Sequence, residues 1–160
     1  MFKGTYPHKI DPKGRLPVPA AFRKWLHAQG AERVVLTPLD QCLAAYPPSA
    51  WERLEAQLTA LPALSKQVKA ITRLLASRAV DCELDVQGRI LLPPALRAAA
   101  GLEREAVVVG VLNRFEVWAP RTWETFLRES ERLLDDVSLD VPWPLGPTLP
   151  SGDPQAKPKR

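Results

Sequence analysis

The chain has 160 residues, a net charge of +4, 46% hydrophobic and 25% charged residues, which is the profile of a globular protein with a real core. No apolar run approaches the roughly 20 residues that span a bilayer, so no membrane partner is expected. Met1-Phe2-Lys3-Gly4 lacks the apolar stretch of a secretory signal, so a cytoplasmic location is expected.

The first thirty residues carry the charge. Lys3, Lys9, Lys13, Arg15, Arg23 and Lys24 stand against Asp11 alone, a net of +5, which leaves −1 for the rest of the chain. Such a block suits a phosphate backbone, because each neutralised phosphate releases condensed counterions. A solvated charged face is the competing reading.

Residues 10–23, from Ile10 through Asp11-Pro12-Lys13-Gly14-Arg15 to Arg23, align without a gap on residues 84–97, from Leu84 through Asp85-Val86-Gln87-Gly88-Arg89 to Arg97. The offset is 74 residues. With a slip of one or two, Val34-Val35-Leu36 answers Val107-Val108-Val109, and residues 43–52 answer 115–124, which superposes Tyr46 on Trp118 and Trp51 on Trp123. Each half reads as strand, turn, strand, short helix, two more strands and a longer helix. In Asp-x-x-Gly-Arg, Gly14 and Gly88 tolerate positive φ, and Asp11 and Asp85 can accept from local amides, so these residues brace a turn. Pro19 and Pro94 suit a first helical position, Gly101 suits the residue after a helix, and Val34–Leu36 and Val107–Val111 have the β-branched content of buried strands.

Ser49 and Glu52 have capping-box spacing ahead of Trp51, Leu54, Leu58 and Leu61. A third helix is predicted over about residues 65–77 with Val68, Ile71 and Leu75 on one face, and a last one carries Trp123, Phe126, Leu127, Leu133 and Leu134. These stripes are expected to pack the core, with a subunit interface as the alternative. From residue 139 the chain becomes Pro-rich and ends Lys157, Lys159, Arg160, the composition of a disordered tail.

Enzyme signals are absent: there is no G-x-S-x-G and no Gly-rich phosphate loop. Cys42, Cys82, His8 and His27 have no zinc-site spacing, so no metal or other cofactor is expected. The two cysteines are read as reduced core residues, with a disulfide left open. The strongest enzyme alternative is the alternation Asp81, Glu83, Asp85, which a strand would put on one face where Mg²⁺ could bind. Without a third-element ligand, a solvated face is preferred.

The two Asp-x-x-Gly-Arg stretches, with Met1-Phe2-Lys3-Gly4 and Gly110-Val111-Leu112-Asn113-Arg114-Phe115-Glu116-Val117-Trp118, resemble the MraZ family of bacterial transcriptional regulators, which carry two SpoVT-AbrB-like modules. The resemblance covers about residues 1–135. It implies an α+β, β-rich fold in which tandem swapped-hairpin modules form one pseudo-twofold barrel with flanking helices. The modules would span residues 5–48 and 78–121, with connecting helices over 49–77, a C-terminal helix over 122–138 and the tail over 139–160.

The implied partners are double-stranded DNA and further copies of the chain, in a ring of about eight or more. The implied function is sequence-specific, nucleoid-associated regulation from repeats upstream of the cell-division and cell-wall operon. An antitoxin-like or scaffold protein-binding module of the same fold is the alternative. Carried onto this chain, the signature makes Arg15, Lys13, Lys9, Lys3 and Arg89 the DNA-binding residues, while Asp11, Gly14, Asp85 and Gly88 hold the turns. Bracing of Asp11 and Asp85 alone is the competing role for Arg15 and Arg89. Gln87 replaces Lys13 in the second module, and Asp81, Glu83 and Asp85 make that turn acidic, so the first module is expected to dominate contact with DNA.

Overall fold

The computed structural model describes residues 1–135; the predicted Pro-rich tail lies outside the described residues. By internal contacts the chain divides into Met1–Glu124 and a unit that begins at Thr125. In chain order the elements are β1 (Thr5–Lys9), β2 (Arg15–Pro17), α1 (Ala20–Ala28), β3 (Arg33–Leu39), β4 (Cys42–Tyr46), α2 (Pro48–Thr59) and α3 (Lys66–Ala76). The second half gives β5 (Val80–Glu83), β6 (Arg89–Leu91), α4 (Pro94–Ala99), β7 (Glu105–Val111), β8 (Arg114–Trp118) and α5 (Pro120–Asp135).

The halves interleave. Six strands form an antiparallel sheet in the order β1-β7-β8-β4-β3-β5, and β2 pairs with β6 in a separate two-stranded ribbon. Exchanging β1–β4 for β5–β8 leaves that order unchanged, so the repeat becomes a pseudo-twofold relation within one chain. The first strand of each half pairs with the third strand of the other, β1 with β7 and β5 with β3. The fold is thus mixed α+β and strand-rich. The sheet keeps two ends, β1 and β5, so this pairing by itself does not close a barrel. Strand β2 uses its ladder positions on β6, and Pro17 has no N–H to offer a second neighbour.

Alternation along the strands places the core between one sheet face, the ribbon and helices α1 and α4. Leu16 and Ile90 of the ribbon are fully buried against Phe22, Leu26, Leu96 and the sheet residues Leu43, Val108, Phe115 and Val117. Phe2 plugs one end, with ring centroids 5.1 Å from Phe22, 4.7 Å from Trp25 and 5.4 Å from Phe115. The opposite face carries the four aromatic residues matched by the repeat, in two equivalent contacts: Tyr46 and Trp51 lie 5.7 Å apart, Trp118 and Trp123 5.5 Å apart. On this face Glu116 is 7% exposed, and its carboxylate accepts from Arg114 Nη2 at 2.8 Å and Trp118 Nε1 at 3.0 Å. The repeat gives no hint of that pairing, since Ala44 and Cys42 occupy the equivalent positions in the first half.

Two local expectations need correction. Helix α2 starts at Pro48 with Pro47 as its cap, so Ser49 lies inside the first turn and forms no capping box. Pro47 and Pro48 decide the start, because their fixed φ and missing N–H suit the residues that open a helix. Helix α3 does form, capped by Ser65 Oγ accepting from the Val68 N–H, but it buries none of its residues, and Ile71 and Leu74 are about half exposed. The Thr37 hydroxyl, itself buried on β3, donates to the Leu75 carbonyl at 2.9 Å and ties α3 to the sheet. Gly101 follows α4 at φ +61°, as expected of a helix-ending glycine.

Candidate nucleic-acid interface

The two turns are built alike. Asp11 Oδ1 accepts from the Lys13 N–H at 3.0 Å and the Arg15 N–H at 2.9 Å, and Oδ2 accepts from Arg15 Nε at 2.6 Å. Asp85 repeats this with the N–H groups of Gln87 and Arg89, both 2.9 Å, and with Arg89 Nε at 2.8 Å. The N–H of Gly14 donates to the Asp11 carbonyl, and that of Gly88 to the Asp85 carbonyl. Both glycines have positive φ, +86° and +74°, a region that costs an L side chain free energy. These donors hold both aspartates below the ordinary carboxylate range, the backbone N–H of Arg15 or Arg89 being the largest cause. Both carboxylates therefore stay charged in the folded state down to pH values below that range.

The ribbon sets where the arginines point. Arg15 lies opposite Leu91, Leu16 opposite Ile90 and Pro17 opposite Arg89. With Leu16 and Ile90 turned into the core, alternation turns Arg15 and Arg89 outward together, as diagonal neighbours roughly 7–8 Å apart and somewhat closer at Cβ. Asp11 Oδ2 sits between them, 3.8 Å from Arg89 Nη1 as well as against Arg15. In both arginines the aspartate of the same turn engages Nε, the inner edge of the guanidinium. For Arg15 the two terminal nitrogens have no partner among the described residues. Bracing and projection are therefore compatible, since the carboxylate orients the fork it does not consume.

Each turn also depends on the other half. The Gly88 carbonyl accepts from the Val18 N–H at 3.0 Å, and the Gly14 carbonyl from the Leu92 N–H at 2.9 Å. Arg23 on α1 crosses to the second turn and donates from Nη1 to the Gln87 carbonyl at 3.0 Å. Its counterpart Arg97, on α4, lies over Gly14, where an added Cβ would stand 3.2 Å from Cζ. A Cβ at Gly88 would collide with the Arg23 side chain. Neither arginine was among the predicted site residues. Their coincidence in the repeat was the available signal, but no local spacing shows that each serves the other half's turn.

The remaining predicted residues scatter. Lys13 is exposed at the tip of the first turn, next to Arg15. Lys9 ends β1 opposite Glu105. Lys3 lies at the far end of β1, beside Gly110 and Gly4, roughly 20 Å of strand away from the turn. The acidic alternation does not gather either. Asp81 pairs with Arg33 at 3.2 Å, Asp85 is taken up by its own turn, and no three His, Cys, Asp or Glu residues among the described residues could hold a metal. Cys42 and Cys82 are free thiols in different clusters of the core.

His8, on the inner side of β1, has a buried Nε2 without a hydrogen-bond partner among the described residues. Burial, and next the positive charge of Arg23, hold it below the ordinary histidine value. The unfolded chain therefore takes up a proton near pH 6.5 that the folded chain refuses, so stability is full above that pH and falls as pH drops toward the folded-state value. Urea titrations at about pH 7 and about pH 5.5 should show the midpoint falling less in His8→Gln than in wild type. Equal falls would remove His8 as the cause.

A family model described as "MraZ protein, putative antitoxin-like" matches residues 1–74 and again residues 75–138. The chain belongs to the MraZ family. It is 46% identical to the transcriptional regulator MraZ of Ligilactobacillus salivarius, over 88% of this chain and 96% of the relative. To the transcriptional regulator MraZ of Limosilactobacillus reuteri it is 44% identical, over 88% and 97% respectively. The double match divides the chain close to the 74-residue repeat offset, so each MraZ match carries one Asp-x-x-Gly-Arg turn.

Proposed function

We propose that this MraZ-family chain is a sequence-specific DNA-binding transcriptional regulator, and that the β2–β6 ribbon is its reading element. The observation that carries this is the pair of outward arginines, Arg15 and Arg89, each oriented by an aspartate on one short ribbon. The major groove admits a two-stranded ribbon, and an arginine fork matches O6 and N7 of guanine. Lys13 is a point charge for the phosphate backbone, so it positions without specifying. The names of the relatives favour the same reading.

The finer picture is part of the proposal. Residues 5–48 and 78–121 are the two modules, and the ribbon, with its buried Leu16 and Ile90, completes a pseudo-twofold barrel with the sheet. Copies assemble into a ring of about eight or more on the nucleoid of the cytoplasm. That ring engages short direct repeats upstream of the cell-division and cell-wall operon, so weak single contacts add through multivalency. The chain acts without catalysis, metal or other cofactor.

A mobility shift on the DNA upstream of the chain's own gene tests the reading. Affinity is expected to fall linearly with log salt, with a slope of about −0.9 per phosphate contacted. Competition by unrelated DNA should require a large excess. No shift at moderate salt, together with a tightly co-purifying protein, would instead favour the antitoxin-like reading that the family description carries.

A further inference from the structure

Resting on that DNA-binding reading, we propose that the second turn is a base-discriminating element, in which Val86 meets a thymine methyl and Gln87 the major-groove edge of an adenine. The two turns share a backbone but differ at their tips, Pro12-Lys13 in one and Val86-Gln87 in the other. Val86 is fully exposed, an aliphatic side chain held in water at the tip of a tight turn. Nothing that packs among the described residues accounts for it there. Val86 offers only an apolar surface, and the thymine C5 methyl is the apolar group in the major groove.

Gln87 is exposed beside it, and both of its backbone groups are tied down. Its N–H donates to Asp85 Oδ1 at 2.9 Å, and its carbonyl accepts from Arg23 Nη1 at 3.0 Å. The carbonyl of Lys13 has no matching side-chain bond among the described residues. The second turn is thus the more firmly fixed, and only the Gln87 side-chain amide remains to act. A primary amide is the group that can give and take hydrogen bonds at N6 and N7 of adenine. Fixing the backbone beforehand lowers the ordering cost of such a contact.

Charge separates the two turns further. The first tip carries Lys13, whereas the second carries no charge, and Asp85 and Asp81 occupy Arg89 and Arg33 beside it, so the second tip is the poorer general clamp for phosphate. The uncharged tip of Val86 and Gln87 adds less affinity for arbitrary DNA than Lys13 does in the first turn, which leaves discrimination as its use. The turns flank a ribbon of three paired residues, about 10 Å long, or about three base-pair steps. Both can therefore address one short stretch of duplex.

The test is a mobility-shift cycle on the footprinted operator, with wild type, Val86→Ala and Gln87→Ala. The operator is scanned with uracil for thymine, which removes only the methyl, and with 7-deazaadenine for adenine, which removes N7. At one thymine per site, uracil should weaken wild type about fourfold, and Val86→Ala should show that loss already and be indifferent to uracil there. Gln87→Ala should lose about fivefold or more and become indifferent to deaza substitution at one adenine. Losses that multiply at every position, or variants that bind as wild type does, overturn this assignment alone. Absence of any specific binding by wild type overturns the DNA-binding reading with it.

Discussion

Arg15→Ala should reduce binding to the specific operator to the level of unrelated DNA, a loss of about 10³-fold or more if specific sites are held that much more tightly than random ones. One lost bidentate guanine contact costs about 1–3 kcal/mol per subunit, and a loss repeated in every engaged subunit compounds. The fold should survive, because Asp11 keeps the backbone N–H groups of Lys13 and residue 15, and the ribbon's inner residues Leu16 and Ile90 are untouched. Unchanged circular dichroism and thermal unfolding would establish that. Arg15→Lys separates the contributions: it keeps the charge and the salt dependence but lacks the planar fork, so non-specific binding should persist while preference for the operator falls. Arg89→Ala should cost less, since Arg89 is more covered and lies near two carboxylates, Asp85 and Asp11. Operator affinity in Arg15→Ala equal to that of wild type would sink the proposed role.

What was legible in the chain was whatever its local chemistry determines. Asp-x-x-Gly-Arg reads as a turn because the carboxylate, the amides and the glycine that close it all lie within five residues. The repeat matched Tyr46 to Trp118 and Trp51 to Trp123, and the equivalence holds in space, since Tyr46 contacts Trp51 just as Trp118 contacts Trp123. Long-range partners were not legible in the residues themselves, and only the family resemblance implied that the two modules are swapped. Nothing in residues 5–9 says that β1 pairs with β7 rather than with a strand of its own half. The same blindness hid Arg23 and Arg97, whose targets lie in the other half's turn. The stripe on α3 was misleading for a different reason. Periodicity shows that a helix has an apolar side, not that it is covered, and among the described residues Ile71 stays about half exposed while Val68 and Leu75 are only partly buried. Lys3 shares the charge block of Lys13 and Arg15 but lies at the far end of β1 from their turn, because net charge carries no geometry.

The largest effect on stability should come from the other end of the sheet. Phe2 is fully buried, and it is held by two backbone hydrogen bonds with Leu112, each 2.9 Å, close to one from the Gly110 N–H to the Gly4 carbonyl at 2.8 Å. Phe2→Ala should cost about 3–5 kcal/mol, as expected for deleting a buried phenyl ring. Gly110→Ala should cost nearly as much by a different route. A Cβ at position 110 would overlap the backbone of Lys3 and come within 2.6 Å of the Phe2 carbonyl carbon, and no rotamer can relieve a clash with main chain. The N-terminal residues would have to leave β7 and take Phe2 out of the core with them. Since both variants remove the same plug, the double variant should be scarcely less stable than the worse single one in urea unfolding. A fully additive loss would show that the glycine is needed for something other than seating Phe2. The consequence reaches the proposed DNA-binding face as well. Phe2 packs on Phe22 and Trp25 of α1, the helix that carries Arg23 to the second turn, so a loosened plug should weaken that brace before the sheet itself fails.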